Sequence, residues 1–189
     1  LLAYSSVAHA GYLLIGLTVS ATGQQLCGAH QGGVAAMLLY LLVYSLASVG
    51  VFAALAALSD RQTEVRNVEQ LAGLARKRPL LAATMAICLF SLAGIPPLAG
   101  FWGKFALLGG AVRLAADGSS QLGFWMAVLA IIGALNAAIA AAYYLRIVGV
   151  MYFRDSSDAT VQTMPQRAPA LAAAVCAVLV VGLGAMPRV

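Results

Sequence analysis

The chain has 189 residues, 62% of them hydrophobic and only 9% charged, with a net charge of +5 and a mean hydropathy of +0.93. Soluble domains carry about 25% charged residues, so this chain lacks the polar groups to clothe a soluble surface, and its long apolar runs point to an integral membrane protein. The positive charge is scattered over short loops, with no basic helix face and no aromatic stacking platform, which excludes a nucleic-acid reader.

The first run, Leu1 to about Ser20, is long enough to span a bilayer. It has no charged leading region and no small-residue cleavage site, so it is not a signal peptide. It does not begin with Met and reads as the interior of something longer, so the chain is expected to be a fragment whose upstream part is missing. Ser5, His9 and Tyr12 fall at i, i+4 and i+7, on one face of this helix. Histidine titrates near neutral pH and can pass protons. The same stripe can equally be hydrogen bonding between helices. A Gly/Gln loop, ATGQQLCGAHQGG, follows.

The second run spans about Val34 to Ser59. Tyr40, Tyr44 and Ser48 recur at spacings of four, either as a packing stripe or as hydroxyls lining a hydrated path. The loop from Asp60 to Pro79 carries Arg61, Arg66, Arg76, Lys77 and Arg78. Its basic residues are most simply a topology signal. Contact of Arg76-Lys77-Arg78 with anionic lipid or a neighbouring subunit is the lesser reading. Glu64 and Glu69 are expected to be solvated. Pro79 suits the first turn of the next helix.

The third run, about Leu80 to Leu114, is too long for one straight span and holds the sequence SLAGIPPLAGFWGKF. Pro96 and Pro97 remove two backbone donors and clash with the preceding turn. Gly94 and Gly100 flank them and permit unusual backbone angles. The span is therefore expected to break over Gly94–Ala99. Irregular backbone at membrane depth survives only inside protein or beside a wet cavity. Lys104 follows the break. On a straight helix from Leu80 it would lie about 36 Å along, near the far surface, where it could snorkel. A broken helix gains less height and keeps it deep, where a lysine costs about 3 kcal/mol. Burial makes an ammonium easier to deprotonate, whereas arginine keeps its proton. Lys104 is the candidate proton carrier, set against a structural or snorkelled lysine. Ser91, just before the break, is expected to cap freed backbone groups or to touch water.

After a turn at Asp117–Ser120, the fourth run spans about Gln121 to Phe153 and contains one amide, Asn136, read first as interhelical glue and second as a pathway residue. A polar loop with Asp155, Asp158 and Pro165 leads to the fifth run, about Ala168 to Met186. The expected fold is all-α: a single membrane domain over 1–189, a polytopic bundle of five transmembrane spans with the third broken. Barrel strands would alternate apolar and polar residues, and these runs do not. Lys and Arg concentrate in the loops 60–79 and 154–167, which places both in the cytoplasm and the C-terminus outside.

Cys27, Cys88 and Cys176 lie far apart and read as packing residues. Without a CxxC pair or a ligand-spaced His/Cys set, no metal or iron–sulfur cluster is expected on this chain. No glycine-rich nucleotide loop is present.

LAYSSVAHAGYLL (Leu2 to Leu14) and SLAGIPPLAGFWGKF (Ser91 to Phe105) resemble the antiporter-like, proton-translocating membrane subunits of respiratory complex I, the NADH-quinone oxidoreductase. YLLVYSLASVGVFA (Tyr40 to Ala53), LAGLARKRPLLA (Leu71 to Ala82) and NAAIAAAYYLRIV (Asn136 to Val148) fit the same family. HAGY and the GLARKRP loop tilt the resemblance to the subunit N type, although the GIPPLAGFWGKF core is shared with multisubunit cation/proton antiporters. The resemblance implies fourteen helices in two inverted five-helix repeats, each with a broken helix and a functional lysine. This chain would match the last five helices, with Lys104 the lysine of the second repeat. The family's other essential groups, a glutamate and lysines of the first repeat and its junction, have no positions here.

The implied activity is proton translocation driven by quinone reduction elsewhere in a bacterial inner-membrane complex. Quinone, flavin and iron–sulfur clusters would sit on partner subunits, with no cofactor on this chain. The expected partners are the other membrane subunits, the lipid bilayer and protons. A sodium/proton antiporter subunit and a purely structural membrane subunit remain the alternatives.

Overall fold

The computed structural model describes residues 2–27, 32–59, 65, 67–117, 120–155 and 166–185. Arg61, Glu64, Arg66, Asp158, Pro165, Arg188 and the centre of the Gly/Gln loop lie outside the described residues, as does the side chain of Cys27.

Every regular element among the described residues is a helix, and they contain no strand. Its α-helices are α1 (Leu2–Cys27), α2 (Gly32–Leu58), α3 (Leu74–Lys77), α4 (Pro79–Ala93), α5 (Ala99–Asp117), α6 (Ser120–Phe153) and α7 (Arg167–Ala185). Three stretches are long and apolar enough to cross a membrane: Val34–Leu58, Gln121–Phe153 and Arg167–Ala185. The charged loop before α4 is more structured than the sequence implied, holding a 3-10 turn over Val68–Leu71 and the short α3.

Two separate helices occupy the third apolar run. α4 starts on Pro79, whose missing N–H is no loss in a first turn. It stops at Gly94, which adopts a left-handed conformation (φ 85°). The Gly94 N–H donates to the carbonyls of Phe90 and Ser91 at 3.0 Å each, and the Ile95 N–H donates to Phe90 at 3.1 Å. Pro96 and Pro97, joined by a cis peptide bond, prevent the helix from resuming before Ala99.

α2 packs against α1, α4, α5 and α7 and is the centre of the bundle. One apolar core joins α2, α4, α6 and α7 through Val51, Met85, Leu89, Tyr144 and Val180. A smaller one joins α1, α2, α5 and α6 through Tyr12, Tyr40, Leu107 and Ala130. Close approach relies on missing side chains. A Cβ on Gly50 would lie 2.5 Å from the Cys88 sulfur, and one on Gly184 would lie 2.5 Å from the Pro97 carbonyl oxygen. α7 thereby covers the break, and the Trp102 indole N–H donates to the Gly184 carbonyl at 3.2 Å.

At one end of the bundle, Arg76 pairs with Asp155 at 2.5 Å and Arg154 pairs with Glu69. The loop before α4 and the end of α6 therefore meet. All four side chains are exposed, so each pair contributes about 0–1 kcal/mol.

Candidate functional site: a buried amine at a helix break

Lys104 lies on α5, one and a half turns past its start, and its side chain is only 5% exposed. Its Nζ donates to the carbonyl of Leu92 at 2.7 Å and to that of Ala93 at 3.1 Å. These are among the last carbonyls of α4, which a terminating helix leaves without internal partners. They also form the negative end of the helix dipole, which favours a cation. The break thus creates the acceptors and the lysine fills them. Gly94 allows the approach: a Cβ there would meet the lysine Cδ at 3.1 Å and its Nζ at 3.5 Å.

The other half of the break is closed by Ser91. Its hydroxyl oxygen accepts the Gly100 N–H at 3.2 Å, satisfying a donor in the first turn of α5. A Cβ on Gly100 would stand 1.9 Å from the Ser91 carbonyl oxygen, so the two half-helices touch through bare backbone.

The lysine Nζ also lies 5.4 Å from the centroid of the Tyr12 ring, a distance suited to cation–π attraction when the amine is charged. Tyr12 belongs to a buried polar and aromatic cluster. Its hydroxyl donates to the Gly133 carbonyl of α6 at 2.9 Å. Its ring packs edge-on against Tyr40, with centroids 5.8 Å apart, and lies 6.2 Å from the ring of His9. His9 is 2% exposed. Its Nδ1 is 2.5 Å from the Tyr40 hydroxyl and its Nε2 is 3.3 Å from the Tyr144 hydroxyl. The Tyr144 hydroxyl also bonds the Ser5 hydroxyl. Tyr44 stacks on the imidazole with centroids 4.4 Å apart. Each nitrogen of His9 therefore has a hydroxyl partner, and a hydroxyl both gives and takes a proton.

A cavity of about 270 Å³ adjoins this cluster, lined by Ser5, Ser6, Tyr44, Ser48, Leu92 and Tyr144 among others. Leu92 connects the two halves of the site, since it borders the cavity and its carbonyl holds Lys104.

The residues singled out in the sequence fall into three groups. Lys104, Ser91, Gly94 and Gly100 meet directly at the break, with Pro96 and Pro97 forming its turn. His9, Tyr44 and Ser48 share the cavity end of the aromatic cluster. Asn136 stands apart: it is half-buried on α6, and its side chain makes no hydrogen bond with the described residues. Tyr144 was not singled out, yet it bonds both Ser5 and His9.

These features define an all-α membrane protein in which a helix ends inside the bundle and a lysine from the next helix occupies its terminal carbonyls. Residues 1–130 match the family model described as NADH:quinone oxidoreductase/Mrp antiporter, TM, and the chain belongs to that family. It is 40% identical over 165 residues to NADH-quinone oxidoreductase subunit N of Parvibaculum lavamentivorans, covering 87% of this chain and 30% of that protein. It is 40% identical over 190 residues to subunit N 2 of Roseiflexus castenholzii, covering 100% of this chain and 36% of that protein. Among solved structures it resembles a chain of respiratory complex I from Thermus thermophilus with bound aureothin. That likeness has a TM-score of 0.72 and 34% identity, over 99% of this chain and 38% of the other. The chain thus spans about a third of the length of the curated relatives it matches.

Proposed function

We propose that this chain is part of a proton-translocating membrane subunit of a bacterial NADH-quinone oxidoreductase, with Lys104 as a proton carrier. The observation that carries the reading is the buried lysine amine held by the Leu92 and Ala93 carbonyls at the end of α4. Unlike a guanidinium, an amine can give up its proton. Discontinuous helices that present such groups are the usual ion sites of transporters.

On this reading α4 and α5 form one interrupted crossing. α4 alone has 15 residues, about 22 Å of helix, and falls short of the roughly 30 Å hydrocarbon layer. With α1, α2, α6 and α7 the crossings number five, the basic loops lie in the cytoplasm and the C-terminus outside. Protons reach or leave Lys104 by way of the His9–tyrosine cluster and the cavity bounded by Tyr44 and Ser48, with Ser91 beside the break. Asn136 joins this path only if water bridges it to the cluster. Quinone reduction takes place on partner subunits and drives the transfer. No redox cofactor is assigned to this chain.

The test is proton pumping by the whole complex in sealed vesicles. Lys104→Ala should sharply lower the protons moved per NADH oxidised while the complex still assembles. Full pumping by that variant would end the proposal. A structural reading also has support, because the same two hydrogen bonds staple α5 to α4. Failure of the alanine variant to assemble, with normal pumping by any residual complex, favours the staple over the carrier. The family model also covers Mrp antiporters, and sodium-dependent transport in the same vesicles would favour a sodium/proton exchanger.

A further inference from the structure

A second site lies at the opposite end of α4 from the break. The first turns of α4 and α7 run side by side and enclose an apolar groove of about 610 Å³. Its lining includes Leu81, Thr84, Leu171 and Ala174, together with two arginines at the helix starts, Arg78 and Arg167. Both helices begin there, and neither has an acidic residue in its first turn. Arg78 occupies the N-cap position of α4 and makes no side-chain cap bond, so the free N–H groups of that turn add to the positive field.

Among the described residues the four nearby arginines differ in their partners. Arg76 and Arg154 spend their charge on Asp155 and Glu69, whereas Arg78 and Arg167 form no ion pair among the described residues. The Arg78 Nη1 is buried and has no hydrogen-bond partner there. A buried guanidinium nitrogen without an acceptor is costly. Arg78 as a whole is only partly buried, so the rest of its guanidinium is open to an anion in the groove that it lines. The groove below it is apolar and open along one side, with Leu80 and Leu171 strongly exposed.

From this juxtaposition we infer that the α4–α7 groove is a binding site for an anionic glycerophospholipid. Its phosphate sits between Arg78 and Arg167 at the helix N-termini, and an acyl chain lies along Leu81, Leu171 and Ala174. Arginine forks match phosphate oxygens bidentately, and basic pockets between membrane helices commonly take anionic headgroups. A zwitterionic lipid offers the same tails without the net negative charge, so the pair of arginines sets the preference. A carboxylate from a neighbouring polypeptide is the competing occupant.

The test uses the complete protein in the membrane assembly it purifies with, after mild delipidation. Photoactivatable phosphatidylglycerol should label peptides of α4 and α7 in the wild type, and excess phosphatidylglycerol should suppress the labelling at least tenfold better than phosphatidylethanolamine. Arg78→Gln combined with Arg167→Gln should abolish that preference. Ala174→Trp, which fills the groove and leaves both arginines, should abolish the labelling itself. Labelling elsewhere only, equal competition by the two lipids, or a crosslink from a cysteine placed at Leu171 to a neighbouring polypeptide would each overturn the assignment. The wild-type arm needs no variant to fold.

Discussion

Lys104 has two jobs that a substitution can separate. As a hydrogen-bond donor it satisfies two carbonyls that α4 leaves open, and each such carbonyl left bare in a dry interior costs about 1–3 kcal/mol. As a proton carrier it must also give its proton up. Lys104→Arg keeps the donor and the charge but holds the proton. It is expected to preserve assembly better than Lys104→Ala and to pump as poorly, a comparison read from protons moved per NADH oxidised. Arg-variant pumping at the wild-type level would show that charge alone suffices. Tyr144→Phe isolates the relay. It removes the hydroxyl shared by Ser5 and His9 without changing ring packing, at about 0.5–1.5 kcal/mol per lost hydrogen bond. The complex should assemble normally with a lower pumping rate, whereas an unchanged rate would take Tyr144 off the path.

At the scale of elements, the break is held by what is absent. Gly94 needs a left-handed backbone, which costs an L-residue about 1–2 kcal/mol. Gly100 must let the Ser91 carbonyl come where a methyl group would sit. Gly100→Ala should therefore be the more damaging of the two, since two backbones have to separate, at about 1–3 kcal/mol or more. Comparing the thermal stability of purified complexes with Gly94→Ala and Gly100→Ala checks this order. Equal stability to the wild type at both positions would mean that the half-helices are not pinned together. The interruption itself was legible in the sequence, because a Pro-Pro pair between glycines leaves a helix few options. Which groups would repair the broken backbone was not. That depended on α5 folding back so that Lys104 and Ser91 each reach across the gap, over sequence separations that local propensity does not see.

For the whole molecule, the ion pairs from Arg76 and Arg154 gather the two basic loops at one end. Five crossings would then put the C-terminus at the other side. Cysteines placed at Lys77 and Gln166, in a Cys27→Ser background, should react with an impermeant maleimide only from the cytoplasmic face. A cysteine at Arg188 should react only from outside. Labelling of all three from one face would remove the five-span arrangement. Cys88 and Cys176 are buried and should stay silent.

Composition and run length by themselves determined that the protein is helical and membrane-embedded, because lipid admits only helices and closed barrels and barrel strands would alternate apolar with polar residues, which these runs do not. The one lysine in an apolar run and the proline pair before it were equally visible, since both are expensive in lipid and stand out for that reason. Tertiary structure alone decided their partners. Tyr144 follows a stripe of small residues, Ala130, Gly133, Ala137 and Ala140, that marks the packed face of α6. Asn136, the residue with the more conspicuous chemistry, lies beside that stripe and bonds nothing described. A polar side chain announces its cost in the sequence. Its partner is set by which helix faces pack together, and that comes from long-range contacts such as those of α6 with α1, α4 and α5.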